Sequence, residues 1–441
     1  MNTAESGLAT AERTVTRPAV VSRLLAGPDP ATGYERLDHH QRRLQARPEG
    51  GSWLLDVLEQ SGLQGRGGGQ FPTWRKWAAV ARRSERRPVV VVNASEGEPL
   101  SAKDRTLLAM RPHLELDGAA LAADTLNAGE IVVYLSLGSR ATRQAVRRAV
   151  RERRRAHLSE PLIRIVETAH RYIAGESSAV VQRISGGPAK PQFTPPHPTE
   201  KGVNNHPTLV QNTETLAHVA LIARFGSTWF RELGTESSPG SSLMTLSGNV
   251  SNPGVCEVDL GAQLGDVLEA AGGTISQARG ALLGGYFGTW LPARSLQDLP
   301  LDANRLRSVH GASFGCGVLA VLPERGCGVV EASRIVTYLA AETAGQCGPC
   351  VNGLADLSKT MERIAVSQAL PTDLDRIQRW TAMIRGRGAC HHPDGAVGQL
   401  ESALEVFADH VHLHLAGFRC PGYEAVGFPP PPAPRRWWSL S

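Results

Sequence analysis

Apolar positions along the chain change period from segment to segment. From Ser52, "SWLLDVLEQSG" places apolar residues at helical spacing between a candidate N-cap, Ser52, and a stop, Gly62, which predicts a short helix. A second helix follows Pro72. "PVVVVNASEGEP" at Pro88–Pro99 is a continuous β-branched run ending in polar, turn-forming residues. Such a run predicts a strand buried on both faces, with functional residues at its C-terminal end. "EIVVYLSLG" at Glu130–Gly138 and "LIRIVET" at Leu162–Thr168 repeat the strand pattern around an arginine-rich helical segment. Strands alternating with helices predict a mostly parallel sheet.

Elsewhere the pattern is looser. Residues 1–50 are polar and broken by Pro and Gly, and read as an irregular N-terminal arm. A proline-rich loop at Gly186–Gly202 is of a length that is usually functional or disordered, and it precedes a helix from Asn212. From Ser242 to about Arg307, short β-like pieces and glycine turns predict a small separate α+β module. From about Ala332 to Gly417 the pattern is helical, and "PPPPAPRR" at Pro429–Arg436 predicts an extended tail.

A chain of 441 residues predicts two to four domains. The net charge of +5 is concentrated in "ARRSERR" at Ala81–Arg87 and "RQAVRRAVRERRR" at Arg143–Arg155. No aromatics interleave with these arginines, so they read as a solvated helix face and predict no nucleic-acid partner. Seven irregularly spaced cysteines, and an N-terminus without a basic-then-apolar leader pattern, point to the reducing cytoplasm. No apolar run is long enough to span a bilayer, so any membrane association is expected through a partner. No serine–histidine–carboxylate or paired-carboxylate pattern supports hydrolysis.

"GRGGGQFPTWRKW" at Gly65–Trp77 sets glycines and an arginine just before a helix. Glycines let backbone amides approach an anion, and the helix N-terminus favours negative charge, so a phosphate-bearing cofactor fits. Alone the signal is weak, because it is neither a dinucleotide fingerprint nor a Walker loop. Two further segments add weight: "NASEGEP" at a strand end, and "YIAGES" at Tyr172–Ser177 after the last strand. Open α/β sheets bind ligands at such ends, and the three segments can converge.

"ETAGQCGPCVNG" at Glu342–Gly353 carries a CxxC, Cys347 and Cys350, which admits a metal site, a redox dithiol or two buried thiols. Its helical surroundings, far from the βαβ pattern, argue against a thioredoxin-like dithiol. Cys256 reads as a small core residue. His410 and His414 stand one helical turn apart and read as surface or interface histidines.

The segments "SGLQGRGGGQFPTWRKW", "VVNASEGEPLSAKDRTLL", "RYIAGESSAVVQRISGG", "PTLVQNTETLAHV", "LSGNVSNPGVCEVDLG" and "GQCGPCVNG" resemble, in order, the NADH-binding flavoprotein family of respiratory complex I. Relatives of that family occur in NAD-reducing hydrogenases and formate dehydrogenases, and the resemblance runs from about Ser52 to Gly417. It implies an α/β chain with an N-terminal arm (1–50) and a Rossmann-like domain for FMN and NADH (51–240). A ubiquitin-like β-grasp module of the SLBB type (241–325), a helical iron–sulfur domain (326–420) and a Pro-rich tail (421–441) would follow.

By the same resemblance, Gly65, Arg66, Gly67, Gly68, Lys76, Asn93, Glu96, Gly175, Glu176, Asn212 and Thr215 fall on flavin-binding positions. Ser95, Ser177 and Gln211 replace family residues there and keep hydrogen-bonding capacity. Phe71, Lys76 and Glu98 fall near the nicotinamide nucleotide. The chain departs from the family at Ser177, which removes a carboxylate, and at His197 and Ala79, which replace aromatics, so weakened NADH binding is expected.

The family's S-C-G-x-C-x-P-C motif aligns Cys347 and Cys350, with Cys390 about forty residues on, and puts Ala344 at the first-cysteine position. Three thiolates can hold a 4Fe-4S cluster with a non-cysteine fourth ligand, for which His391 and His392 are candidates, or a 3Fe-4S cluster. Zinc with a Cys3His set is an alternative, as is loss of the cluster. Cys316, Cys327 or Cys420 could complete the set if the fold brings one near.

The implied function is electron transfer from NADH through FMN to the cluster and on to a partner, another redox subunit or ferredoxin. The alternatives are a flavo-iron–sulfur subunit exchanging electrons with ferredoxin or a membrane reductase without NADH, and a cofactor-free scaffold built on the β-grasp module.

Overall fold

The computed structural model describes residues 18–28, 34–83, 86–193, 196–308, 311–423 and 427–429. In chain order the first part contains β1 (Val20–Val21), α1 (Leu37–Leu44), α2 (Trp53–Ser61), α3 (Thr73–Ala81), β2 (Val89–Ala94), α4 (Lys103–Met110), α5 (Pro112–Leu126), β3 (Glu130–Ser136), α6 (Arg140–Arg155), β4 (Leu162–Thr168), α7 (Ser177–Ile184), β5 (Thr208–Asn212) and α8 (Thr213–Arg231). The arm is therefore not wholly irregular: β1 and α1 lie within it, and residues 1–17 fall outside the described residues. Ser52 precedes α2 but makes no side-chain cap, whereas Gly62 closes the helix in the left-handed conformation.

β4, β3, β2 and β5 form a four-stranded sheet in that order, parallel throughout. The chain moves from β2 outward to β4, then crosses back to lay β5 on the other side of β2. The crevice between β2 and β5 is thus a topological switch point, where open α/β sheets bind ligands beyond the strand C-termini. Val90 and Val92 of β2 face one core with Leu116 and Ala120 of α5 and Leu216 and Ala220 of α8. Val89 and Val91 face the other with Val180 of α7. Helices α5 and α8 touch backbone to backbone: a Cβ on Gly118 would lie 1.9 Å from the Leu216 carbonyl oxygen, so only glycine fits. The arginines of α6 mostly face solvent, but Arg153 is buried and pairs with Asp117 and Glu160.

The second part contains β6 (Ser241–Gly248), β7 (Gly254–Asp259), α9 (Leu264–Ala270), β8 (Ala278–Leu283), β9 (Thr289–Pro292), α10 (Ala303–Ser308) and β10 (Val318–Pro323). Its sheet runs β1-β7-β6-β10-β8-β9, with β10 parallel to β6 and the arm's β1 on the edge of β7. Strand alternation splits the central β10 between two cores. Leu319 and Val321 pack with Val267 of α9, and Val318, Ala320 and Leu322 pack against the helical part that follows.

That part holds α11 (Gly328–Ala341), a π-turn over Pro349–Leu354, α12 (Ala355–Ala365), α13 (Asp373–Ile384), α14 (His392–Val406) and α15 (Ala408–Leu415). Gly427 N–H donates to Glu331 at 3.1 Å and Phe428 stacks on Trp290, whereas the stretch expected to be extended, Pro429–Arg436, lies outside the described residues but for Pro429. Residues 430–441 lie outside the described residues. Among the described residues no helix is long and apolar enough to cross a membrane.

Candidate functional site

Four segments meet at the switch point. Asn93 at the end of β2 and Asn212 at the end of β5 are register partners. The glycine loop is closed by Gly65 N–H donating to Phe71 O at 2.9 Å, and Arg66 N–H donates to Thr215 Oγ1 at 2.9 Å. A Cβ on Gly67 would sit 3.3 Å from Asn212 Cβ, which places the loop against β5, and Gly68 turns with φ +102°. On the other flank Asn93 Nδ2 donates to Gly175 O at 2.8 Å, and a Cβ on Gly175 would lie 2.8 Å from Ser95 O. The structure thus brings together the three segments singled out in the sequence and adds a fourth, β5, whose strand "TLVQN" escaped the pattern reading.

Several polar groups here lack partners. Lys76 is largely buried; its ammonium donates to Val210 O at 3.1 Å and has no carboxylate partner among the described residues, and burial holds its pKa below the usual lysine range. Ser95 Oγ and Gln211 Oε1 are buried without hydrogen bonds. A cation without a counter-charge, and a hydroxyl and an amide oxygen without hydrogen bonds, are costly unless a polar ligand satisfies them. They fit a phosphate-bearing, hydrogen-bonding group such as FMN.

Other predicted residues are already engaged. The Glu96 carboxylate accepts from Ser101 Oγ, Asp104 N–H and Arg105 N–H and so caps α4. Glu176 caps α7 by accepting from Ser178 N–H and Ala179 N–H, and Asn212 caps α8 by accepting from Thr215 N–H. Ser177 begins α7, half-buried. Glu98 turns inward: it accepts from Tyr286 N–H at 2.8 Å and Tyr172 OH at 3.1 Å, and burial pushes its pKa up to about 7. Phe71 is 52 % exposed beside the loop. His197 is exposed on the proline-rich loop, and so is Phe193, an aromatic on the same loop that the sequence reading passed over.

A buried ionic chain also escaped the sequence reading. Lys103 Nζ donates to Asp104 at 2.7 Å and Glu214 at 2.8 Å, and Asn212 Nδ2 donates to Asp104 at 2.8 Å. Glu214 in turn accepts from Ser242 Oγ and Leu243 N–H of β6 at 2.8 Å, which locks the crevice to the second sheet. Beside the crevice a cleft of about 380 Å³ opens at the ends of β2 and β3; it includes Glu96, His170 and Glu342 but none of the glycine loop.

The predicted thiols gather next to this crevice. Burial pushes the Cys350 thiol up, and neighbouring Cys347 and Cys390 add to the shift. Burial also raises Cys390, which accepts from His392 N–H and feels the charge of Glu176 from the loop beside the crevice. Glu342, just before the CxxC segment, pairs with Arg171 at 3.0 Å and accepts from Tyr172 N–H at 2.9 Å, pinning that loop to the thiols.

Neither histidine expectation is met simply. His392 Nε2 bonds Leu339 O at 2.8 Å while Nδ1 is buried without a partner, the ring packs on Tyr172, and burial lowers its pKa to about 4. His391 is exposed. Asp394, one turn into α14, is the charged neighbour felt by both Cys350 and Cys390. Three thiols, two on the α11–α12 connection and one just before α14, suit an iron–sulfur centre. Cys316 lies instead beside Glu98 and donates to Gly284 O at 3.1 Å. Cys327 and Cys420 lie at the far end of α11.

Comparison with known proteins gives concordant matches. A family model described as the Nuo51 FMN-binding domain matches residues 58–221, an SLBB domain matches 243–285, and an NADH-ubiquinone oxidoreductase-F iron-sulfur binding region matches 331–414. An F subunit (F 2) of the NADH-quinone oxidoreductase of Rhizobium meliloti is 32 % identical over 383 residues, covering 83 % of this chain and 90 % of that protein. The corresponding F subunit of Streptomyces coelicolor is 31 % identical over 406 residues, covering 88 % and 87 % respectively. Among solved structures, NAD+-reducing [NiFe]-hydrogenase in the H2-reduced state superposes with a TM-score of 0.75 at 30 % identity, covering 83 % of this chain. The chain spans 62 % of that hydrogenase chain.

Proposed function

The chain belongs to the family of NADH-quinone oxidoreductase F subunits, and from that premise we propose that it passes electrons from a reduced nicotinamide through FMN to an iron–sulfur centre and on to a partner redox subunit. The observation that carries this reading is the proximity of the two sites: the charge of Glu176, on the loop beside the β2/β5 crevice, is felt at Cys390 of the thiol group. Bound FMN would supply the exchange between two-electron and one-electron chemistry. The chain's own residues bind and orient. Lys76 and the amides of Gly67 and Gly68 would meet a phosphate, Asn93, Ser95 and Gln211 would hydrogen-bond polar edges, and Cys347, Cys350 and Cys390 would hold iron. The proposed domain boundaries are 51–240, 241–325 and 326–420.

Anaerobic stopped-flow mixing with NADH, NADPH and reduced ferredoxin in turn tests this reading. Flavin bleaching by NADH is the expected result, at concentrations above micromolar because Ser177, Ala79 and His197 thin the nucleotide's contacts. Those three departures favour a second reading, electron exchange with ferredoxin or a membrane-bound reductase, which reduction by ferredoxin alone would select. Protein that takes up neither flavin nor iron would sink both.

A further inference from the structure

Helices α11 and α12 pack as a hairpin whose closed end, the connecting segment, carries Cys347 and Cys350. At the other end three side chains outside the redox site converge. Cys327 precedes α11, His414 lies near the end of α15, and Cys420 follows α15; they are 1 %, 0 % and 3 % exposed. One ligand-capable atom of each lies within 4.8 Å of the others. Cys327 Sγ is 3.5 Å from His414 Nε2. His414 Nδ1 is 3.0 Å from Ile364 O. A carbonyl oxygen only accepts, so Nδ1 carries the proton and Nε2 turns its lone pair to the thiols, the arrangement that orients a metal-binding imidazole. His410 and His414 are thus buried, not surface, histidines.

We propose that Cys327, His414 and Cys420 form a binding site for a single thiophilic divalent cation, Zn2+ by its chemistry. Zn–S bonds of about 2.3 Å and Zn–N bonds of about 2.0–2.1 Å at a tetrahedral angle set sulfur and nitrogen about 3.5 Å apart. That is the separation Cys327 and His414 already have. Binding releases one proton from each thiol, so Zn2+ with two thiolates and a neutral imidazole carries no net charge. A neutral assembly is what so buried a position accepts.

Cys327 also accepts from Val330 N–H at the start of α11, a contact that favours the thiolate once metal is present. A Cys327–Cys420 disulfide would use two of the three groups and leave Nε2 unpaired; a metal uses all three. His410, one turn earlier on α15, is buried with Nδ1 unpartnered but stands outside the three groups gathered within 4.8 Å of one another.

The site is separate from the iron site. The 14 residues of α11 hold its ends about 20 Å apart. Its role is structural. The chain near Cys420 already lies against the turn before α11, where a Cβ on Gly422 would sit 2.2 Å from Arg325 O. A metal would bind that segment, α15 and α11 together.

Elemental analysis of the full chain purified anaerobically, with thiol titration after denaturation, tests the proposal. About one zinc per chain beside the iron is expected, absent from Cys420→Ser and His414→Gln but retained in Cys347→Ser, which loses iron instead. Should the first two variants fail to fold, cobalt-substituted wild-type and Cys347→Ser proteins keep the test open. Thiolate-to-cobalt charge-transfer absorption in both supports the site, and its absence from both refutes it. Zinc-free wild type that gains no thermal stability from added Zn2+, two thiols missing to a disulfide, or zinc retained in the Cys420 and His414 variants would each overturn the proposal.

Discussion

Replacing Glu98 with glutamine isolates the cost of one buried charge. The Glu98 carboxyl is buried beside the crevice, and it accepts from Tyr286 N–H, Leu100 N–H and Tyr172 OH without an ion-pair partner among the described residues. Desolvation outweighs those bonds and raises the pKa from 4.5 to about 7, with Glu96 adding a smaller push in the same direction. Between those two values the folded chain holds a proton that the unfolded chain has released. Stability therefore falls as pH rises through that window, and the contribution is fully present below pH 4.5 and lost above pH 7. At about 1.4 kcal/mol per pH unit, the charged form costs about 3 kcal/mol. Glutamine has nearly the same shape and stays neutral.

Urea unfolding of both proteins at pH 5, 6.5 and 8, followed by tryptophan fluorescence, measures the gap. The Glu98→Gln variant should gain on wild type as pH rises, by about 1–3 kcal/mol between pH 5 and pH 8. Asp104, which burial raises to about 6, titrates in both proteins and largely cancels in the difference. A constant penalty from the new amide would shift the gap equally at every pH. A gap independent of pH would refute the argument, and so would a variant that loses ground as pH rises.

Gly118→Ala forces a methyl group into the Leu216 carbonyl, and should cost at least the about 1–3 kcal/mol typical of overpacking, read as a lowered melting temperature; an unchanged one would contradict the α5–α8 contact. Lys76→Met should weaken FMN binding at least tenfold in a fluorescence titration, since a charge-assisted hydrogen bond is worth about 1.5–3 kcal/mol. Gly68→Glu should abolish binding in the same titration. Ala344→Cys should shift the paramagnetic signal from the oxidised towards the reduced protein if wild type holds a three-iron centre; an unaltered spectrum and iron content would show that residue 344 does not face the cluster. Phe71→Ala should raise the KM for NADH while leaving FMN affinity within about twofold, which steady-state kinetics and flavin titration separate.

The parallel sheet was legible because "VVVV" in β2 and the apolar runs of β3 carry their own period and end at polar turns. β5 was not, because its five residues "TLVQN" are too few to show a period and end in two amides. That omission matters, since β5 creates the switch point and sets Asn212 opposite Asn93. Strand β1 is only two residues long, and its pairing with β7 is a tertiary event that no local pattern encodes. Glu96, Glu176 and Asn212 illustrate a different limit. A motif names them as ligand positions, but spacing alone could not reveal that each also satisfies the amides of a helix start.

The cysteines divide along the same line. Cys347, Cys350 and Cys390 could be grouped from register in the motif, yet nothing in their spacing says what takes the place left by Ala344. The fold narrows that question by subtraction. His392 bonds Leu339 O through Nε2 alone and keeps a buried, unpartnered Nδ1, so it stays a candidate, whereas Cys327 and Cys420 are held at the far end of α11 with His414. Asp394 remains as a charged neighbour of Cys350 and Cys390. A carboxylate is a harder ligand than thiolate or imidazole, and it would add negative charge to a centre already carrying three thiolates. A cluster completed by Asp394 would therefore hold its fourth iron more weakly than one completed by cysteine. The same packing that excludes the other thiols thus favours a centre able to exist with three irons.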